Sequence, residues 1–150
     1  MSFFVGRDRE ARRAYGFDEI ALVPGALTVN PEEVQISTKI GGVRLEIPLM
    51  ASAMDGVVDA RFAIAMGKLG GLAVLNLDGI HSRYEDVAEV YEMIAAAPPE
   101  TATELVQKLY KEPVKEKLIG QRVREMKAGK VIAAVSCIPQ NAEKFGKIAE

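Results

Sequence analysis

The chain holds one cysteine and one histidine in 150 residues. Cys137 alone cannot close an internal disulfide, and with only His81 beside it no cysteine and histidine set for a structural zinc can be assembled. A dominant charge sign is missing too: 19 Lys and Arg stand against 21 Asp and Glu, a formal net charge of −2. Without a basic excess there is no electrostatic footprint for nucleic acid, and the mixed charges read as solvated faces. No apolar run is long enough to span a bilayer. The amino terminus, with Arg7, Asp8, Arg9, Glu10, Arg12 and Arg13, lacks the apolar core of a signal peptide. These absences point to a cytoplasmic protein whose partners include neither nucleic acid nor membrane. The length fits one soluble domain or a piece of one.

What is present is a pattern of strands and helices. Val34, Ile36 and Ile40, then Gly41-Gly42, then Val43, Leu45 and Ile47 alternate with period two around a two-glycine turn, which predicts a β-hairpin. Leu49-Met50-Ala51, Leu72-Ala73-Val74-Leu75 and Val131-Ile132-Ala133-Ala134-Val135 read as buried strands. A helix predicted over 59–69 is apolar almost all round and is stopped by Gly70-Gly71. Ser82 with Glu85 reads as a capping box opening a helix that puts Tyr84, Val87, Ala88, Tyr91, Ile94 and Ala95 on one face, and Pro98-Pro99 ends it. Thr101 with Glu104 starts a short helix that stops near Pro113, and an amphipathic, lysine-rich helix follows over about 114–127, closed by Gly129. A last helix begins near Asn141 and is still running at Glu150.

Alternating strands and helices with continuous apolar strands imply an α/β fold, a parallel sheet covered on both faces. Three such strands cannot close a barrel, which takes eight strand–helix units in roughly 250 residues. A fragment of a longer parent is therefore expected. The first strand gives way to Ser52-Ala53-Met54-Asp55-Gly56, a polar, glycine-containing turn that puts backbone amides and a hydroxyl at the mouth of the sheet, where such folds bind ligands.

Tyr15-Gly16-Phe17-Asp18-Glu19-Ile20-Ala21-Leu22-Val23-Pro24-Gly25, Ile47 through Asp55, Ala63-Ile64-Ala65-Met66 and Gly70-Gly71-Leu72 resemble, in order and spacing, the amino-terminal half of the IMP dehydrogenase and GMP reductase family. The resemblance implies a TIM (β/α)8 barrel of which about the first three strand–helix units are present, preceded by the hairpin. On this reading residues 1–46 are an amino-terminal segment and hairpin, 47–97 the first two units, and 130–150 a truncated third unit. Residues 98–129 form a helical connector where the dehydrogenases usually carry a pair of cystathionine-β-synthase-type regulatory modules. About thirty residues are too few for two modules of usual domain size, so the chain resembles a branch that lacks them.

The resemblance places Ser52 and Met54 on the nucleotide-binding loop, the serine hydroxyl on the ribose phosphate portion and the methionine lining the base pocket. A hydroxyl that both donates and accepts suits those oxygens, and a polarizable thioether suits a flat purine face. At the end of the second strand, where the dehydrogenases often carry histidines, stand Asn76 and Leu77. Asn76 either offers a donor and an acceptor to the ligand or caps the turn toward Asp78-Gly79. His81 reads as an exposed loop residue. Ser136 and Cys137 align with the region that contacts the adenosine half of the cofactor, without the family's glycine, threonine or adenine-stacking histidine.

The family's chemistry needs a cysteine thiolate that attacks purine C2, on a Gly-Ser-x-Cys-Thr-like loop after a later strand. No counterpart exists here, so the nucleophile is expected beyond Glu150. Cys137 follows an apolar run with no adjacent base or cation cluster and reads as a packing residue. The resemblance thus implies an oxidoreductase of purine nucleotides, IMP to XMP with NAD in the full-length parent. Two alternatives stay open: NADPH-dependent reduction of GMP to IMP, and a non-catalytic nucleotide-binding relative or inactive fragment. It also implies a homo-oligomer, a tetramer, and a monovalent cation bound outside this segment. The 150 residues alone are expected to be inactive and marginally stable.

Overall fold

Residues 1–35 and 36–150 form two compact units in the computed structural model, which describes residues 3–7 and 9–150. Met1, Ser2 and Asp8 of the charged amino-terminal segment lie outside the described residues. In the first unit β1 (Phe3–Val5) pairs antiparallel with β2 (Arg9–Ala11). Two single turns follow, each closed by a glutamate that reaches back over its own first residue. Glu19 Oε2 accepts from the Gly16 amide at 2.8 Å, and Glu33 Oε2 from the Asn30 amide at 3.3 Å. Phe17, Leu22 and Leu27 on this unit are exposed.

The second unit opens with β3 (Thr38–Ile40) and β4 (Val43–Leu45), paired antiparallel with Ile40 opposite Val43. Gly41 and Gly42 between them have φ of 54° and 88°, the left-handed pair that a tight two-residue hairpin turn needs. Val34 and Ile36, part of the alternation in the sequence, lie outside this ladder because Pro31 starts a turn just before them.

β5 (Met50–Ala51), β6 (Leu72–Asn76) and β7 (Ala134–Ser136) form one parallel sheet in that order. Register pairs Met50 with Leu72, Ala51 with Ala73, Val74 with Ala134 and Leu75 with Val135. The period of two therefore puts Ala51, Ala73, Leu75 and Val135 on one face and Met50, Leu72, Val74, Asn76 and Ser136 on the other. The first face is the better covered, with Ala73 and Leu75 buried and Ala51 and Val135 partly buried. It meets α1 (Ala60–Lys68), α4 (Glu116–Ala128) and α5 (Ala142–Ala149) in a core that includes Ala63, Leu75, Ile119, Val123, Met126 and Phe145. On the second face Met50 and Ser136 are exposed and Val74 is half-buried, so the expectation of a sheet covered on both faces is corrected within these residues.

Helix boundaries follow local caps. Asp59 opens α1, its Oδ1 accepting from the Phe62 amide at 2.6 Å. The all-round apolar surface of α1 is only partly used: Ala60 and Ala63 are buried, while Phe62 and Leu69 are exposed. α2 (Val87–Ala96) begins later than the Ser82 and Glu85 pattern predicts. Its cap is Asp86, whose Oδ1 accepts from the Glu89 amide at 3.2 Å. Ser82 instead sits in a short turn, fully buried, with no hydrogen-bond partner for its hydroxyl among the described residues. α3 (Pro99–Leu109) likewise starts ahead of the Thr101 cap. Pro99 supplies a first position that needs no amide partner, and Thr101 Oγ1 bonds the Pro98 carbonyl at 3.3 Å from inside the first turn. α2 and α3 share a second, smaller core built on Ile80, Val90 and Leu109.

Candidate functional site

The carboxyl ends of β5, β6 and β7 lie side by side because the sheet is parallel and in sequence order. The loop after β5 is a tight turn: the Met54 amide donates to the Ser52 carbonyl at 2.8 Å, and the Val57 and Val58 amides both donate to the Met54 carbonyl at 2.9 Å. Val58, 1% exposed, anchors its far end in the core. The tip is left outward. Ser52 is exposed, with no partner for its hydroxyl among the described residues, and Met54 is 58% exposed.

Asp55, between tip and anchor, is committed inward. Its Oδ1 accepts from Asn76 Nδ2 at 3.0 Å, and its Oδ2 accepts from the Ile80 amide at 2.7 Å and from the Tyr110 hydroxyl. Its backbone carbonyl accepts from the Tyr91 hydroxyl and lies 3.2 Å from His81 Nε2. The same nitrogen is 3.0 Å from the Tyr91 oxygen. Since the single phenolic hydrogen of Tyr91 goes to the carbonyl, hydrogen-bond bookkeeping assigns the imidazole proton to Nε2. Burial, aided by the negative charges of Asp55 and Asp59, pushes the Tyr91 phenol up to about 12, so it stays a donor at neutral pH. Burial and the bond to Asp55 push Tyr110 upward as well.

His81 is thus 4% exposed, which corrects the expectation of an exposed loop residue. Its partners are tertiary, 26 residues back at Asp55 and 10 ahead at Tyr91, and local sequence does not announce them.

A second carboxylate ties the next pair of loops. Asp78 Oδ2 accepts from the Ile138 amide at 2.7 Å and its Oδ1 from Asn141 Nδ2 at 2.6 Å. Asn76 joins the two systems: its Nδ2 serves Asp55 while its Oδ1 accepts from the Asp78 amide at 3.1 Å. Three strand-end loops are therefore joined through Asp55, Asn76, Asp78 and Asn141, the link from Asn76 to Asp78 running through the Asp78 backbone amide. Of the residues singled out from sequence, Ser52 and Met54 share one exposed turn, and Asn76 lies behind it in the network. Ser136 is exposed at the end of β7. Cys137 is half-buried against the main core. A pocket of about 430 Å3 lined by Asp59, His81, Tyr91 and Arg122 lies among α1, α2 and α4 and does not coincide with the exposed turn.

Sequence reasoning gave no site role to Asp55, Asp78 or Tyr110, and placed Tyr91 only on the apolar face of a helix. Asp55 had no local signal; its position shows only in the structure, where a Cβ added at Gly79 would stand 1.9 Å from Asp55 Oδ1 and would have to displace the carboxylate. Tyr110 had no local signal either, being 55 residues from its partner.

This site lies within a family match. The model of the IMP dehydrogenase / GMP reductase domain covers residues 14–150. The chain belongs to the IMP dehydrogenase and GMP reductase family. An uncharacterized oxidoreductase of Mycobacterium tuberculosis is 39% identical over 144 residues, 93% of this chain and 38% of that protein. The inosine-5'-monophosphate dehydrogenase of Methanocaldococcus jannaschii is 34% identical over 106 residues, 65% of this chain and 21% of that enzyme. An IMP dehydrogenase/GMP reductase-like protein from Corynebacterium glutamicum superposes with a TM-score of 0.82 at 31% identity, over 99% of this chain and 41% of that one. The chain thus spans well under half the length of these relatives, and its family membership covers the strand-end loops described above.

Proposed function

We propose that these residues form the first strand–helix units of a TIM-barrel purine nucleotide oxidoreductase, with IMP oxidised to XMP in the complete protein. One observation carries the reading: the turn after β5 presents outward a thioether and a hydroxyl that has no partner among the described residues, while its carboxylate is bound inside. Ser52 donates to or accepts from a ribose or phosphate oxygen. Met54 lies against the purine face. Asn76 acts behind them through Asp55, since both of its polar ends already have partners.

The cofactor fit is partial. Ser136 is exposed and suits a ribose hydroxyl, whereas the Ile138 amide and Asn141 amide group are already given to Asp78. No aromatic residue occurs over 136–141 to stack on adenine. Bound NAD would supply a hydride acceptor. The thiolate belongs outside these 150 residues, because Cys137 is the single cysteine and lies against the core.

In the full-length protein, Ser52→Ala is expected to raise KM for IMP by roughly twofold to tenfold, about 0.5–1.5 kcal/mol for one hydrogen bond. Cofactor KM should change little. Steady-state assays with IMP and NAD, run beside GMP and NADPH, measure both; an unchanged nucleotide KM would remove Ser52 from the site, and turnover with GMP alone would make the protein a reductase. Cys137→Ala should keep most of the turnover and cost about 1 kcal/mol of stability. Rapid alkylation of Cys137 that IMP blocks would contradict its packing role.

A further inference from the structure

The turn that carries Ser52 and Met54 is held from the helical connector as well as from its own strands. Tyr110 follows α3 and reaches the Asp55 carboxylate from 55 residues away. Its placement is built in detail. Leu109 beside it is buried in the small core with Ile80 and Val90. The Leu109 carbonyl accepts from the Tyr84 hydroxyl at 3.0 Å. The Arg83 guanidinium stands 5.4 Å from the center of the Tyr110 ring and donates to the carbonyls of Asp78 and Glu112. The ring is 38% exposed, so packing alone would be served equally by phenylalanine. The hydroxyl therefore has one structural role, the bond to Asp55 Oδ2. Tyr91 on α2 holds the carbonyl of the same residue.

We propose that Tyr110 is a positioning residue for the nucleotide turn: the connector fixes the Asp55 carboxylate through this phenol and thereby sets where Ser52 and Met54 stand. The proposal rests on the reading of those two residues as nucleotide contacts. It assigns the connector a share in nucleotide affinity through Asp55. The geometry also says how the effect is transmitted. Asp55 lies one residue beyond Met54, and the turn between Ser52 and Val58 is closed by backbone bonds on Met54 alone. Loss of the phenol leaves the carboxylate on Asn76 and the Ile80 amide alone and loosens the tip, while Val58 stays buried.

The test is Tyr110→Phe in the full-length protein, with two readouts. Amide hydrogen exchange without ligand should quicken severalfold over 52–57 and at Ile80, and stay unchanged over α2 and α3, whose core keeps the ring. KM for IMP should rise by about threefold to tenfold with kcat within about twofold, as expected for one lost bond outside the reacting atoms. Exchange over 52–57 equal to wild type overturns the proposal whatever the kinetics. Faster exchange with an unchanged nucleotide KM overturns its functional half, and general loosening of α2 and α3 would make Tyr110 a packing residue. A wild-type protein that binds neither IMP nor GMP would overturn the nucleotide reading of Ser52 and Met54, while the exchange measurement still decides whether Tyr110 holds the turn.

Discussion

Gly79→Ala is expected to destabilise the chain by about 3–5 kcal/mol, the sum of an overpacked contact and of lost bonds to a carboxylate. The added Cβ would lie 1.9 Å from Asp55 Oδ1 and 2.4 Å from both Cγ and Oδ2. Backbone strain is not the cause, since Gly79 has φ −93° and ψ −168°, extended values open to any residue. The carboxylate must leave, and with it go the bonds from Asn76, the Ile80 amide and Tyr110. Denaturant unfolding measures the loss. Its origin is isolated by a second background: in Asp55→Ala protein the obstructing atoms are gone, and the same glycine substitution should cost less than about 1 kcal/mol, a non-additivity expected of touching residues. Equal costs in both backgrounds would show that the clash with Asp55 is not what requires glycine.

The elements that were legible in sequence are those whose signals are local. The apolar run at residues 72–75 is a strand because every side chain there has a buried or half-buried place. α1 starts at Asp59 because its carboxylate bonds the amide three residues on. Ser82 misled because a cap pattern competes with tertiary demands. The Ile80 amide three residues before Arg83 is claimed by Asp55, which bends 80–82 into its own turn and leaves Asp86 to open α2. The candidate site shows the same division. That a polar turn ends the first strand is visible in Ser52-Ala53-Met54-Asp55-Gly56. That Asp55 turns inward is not, because its partners come from 21, 25 and 55 residues away. The burial of His81 fails to show for the same reason.

Asp55→Asn should cost about 1–3 kcal/mol, the penalty for a partly buried donor left without an acceptor. Three donors converge on the carboxylate: Asn76 Nδ2 on one oxygen, the Ile80 amide and Tyr110 on the other. An asparagine at 55 has one acceptor end. If its oxygen faces Ile80 and Tyr110, its NH2 group meets the NH2 group of Asn76. Turning Asn76 over does not help, because its oxygen is needed by the Asp78 amide at 3.1 Å. If instead the oxygen faces Asn76, the NH2 group opposes the Ile80 amide. Each arrangement strands a pair of donors. Asn76→Asp alone should be as harmful, since it would set two carboxylates against each other across what is now a 3.0 Å hydrogen bond. The exchanged pair, Asp55→Asn with Asn76→Asp, satisfies every partner: the oxygen of residue 55 serves Ile80 and Tyr110, its NH2 group donates to residue 76, and the other carboxylate oxygen there accepts from Asp78. Denaturant unfolding of the four proteins should therefore give a double variant more stable than either single one, with a coupling of about 1–3 kcal/mol. If the two costs simply add, the bond between Asp55 and Asn76 does not organise these loops.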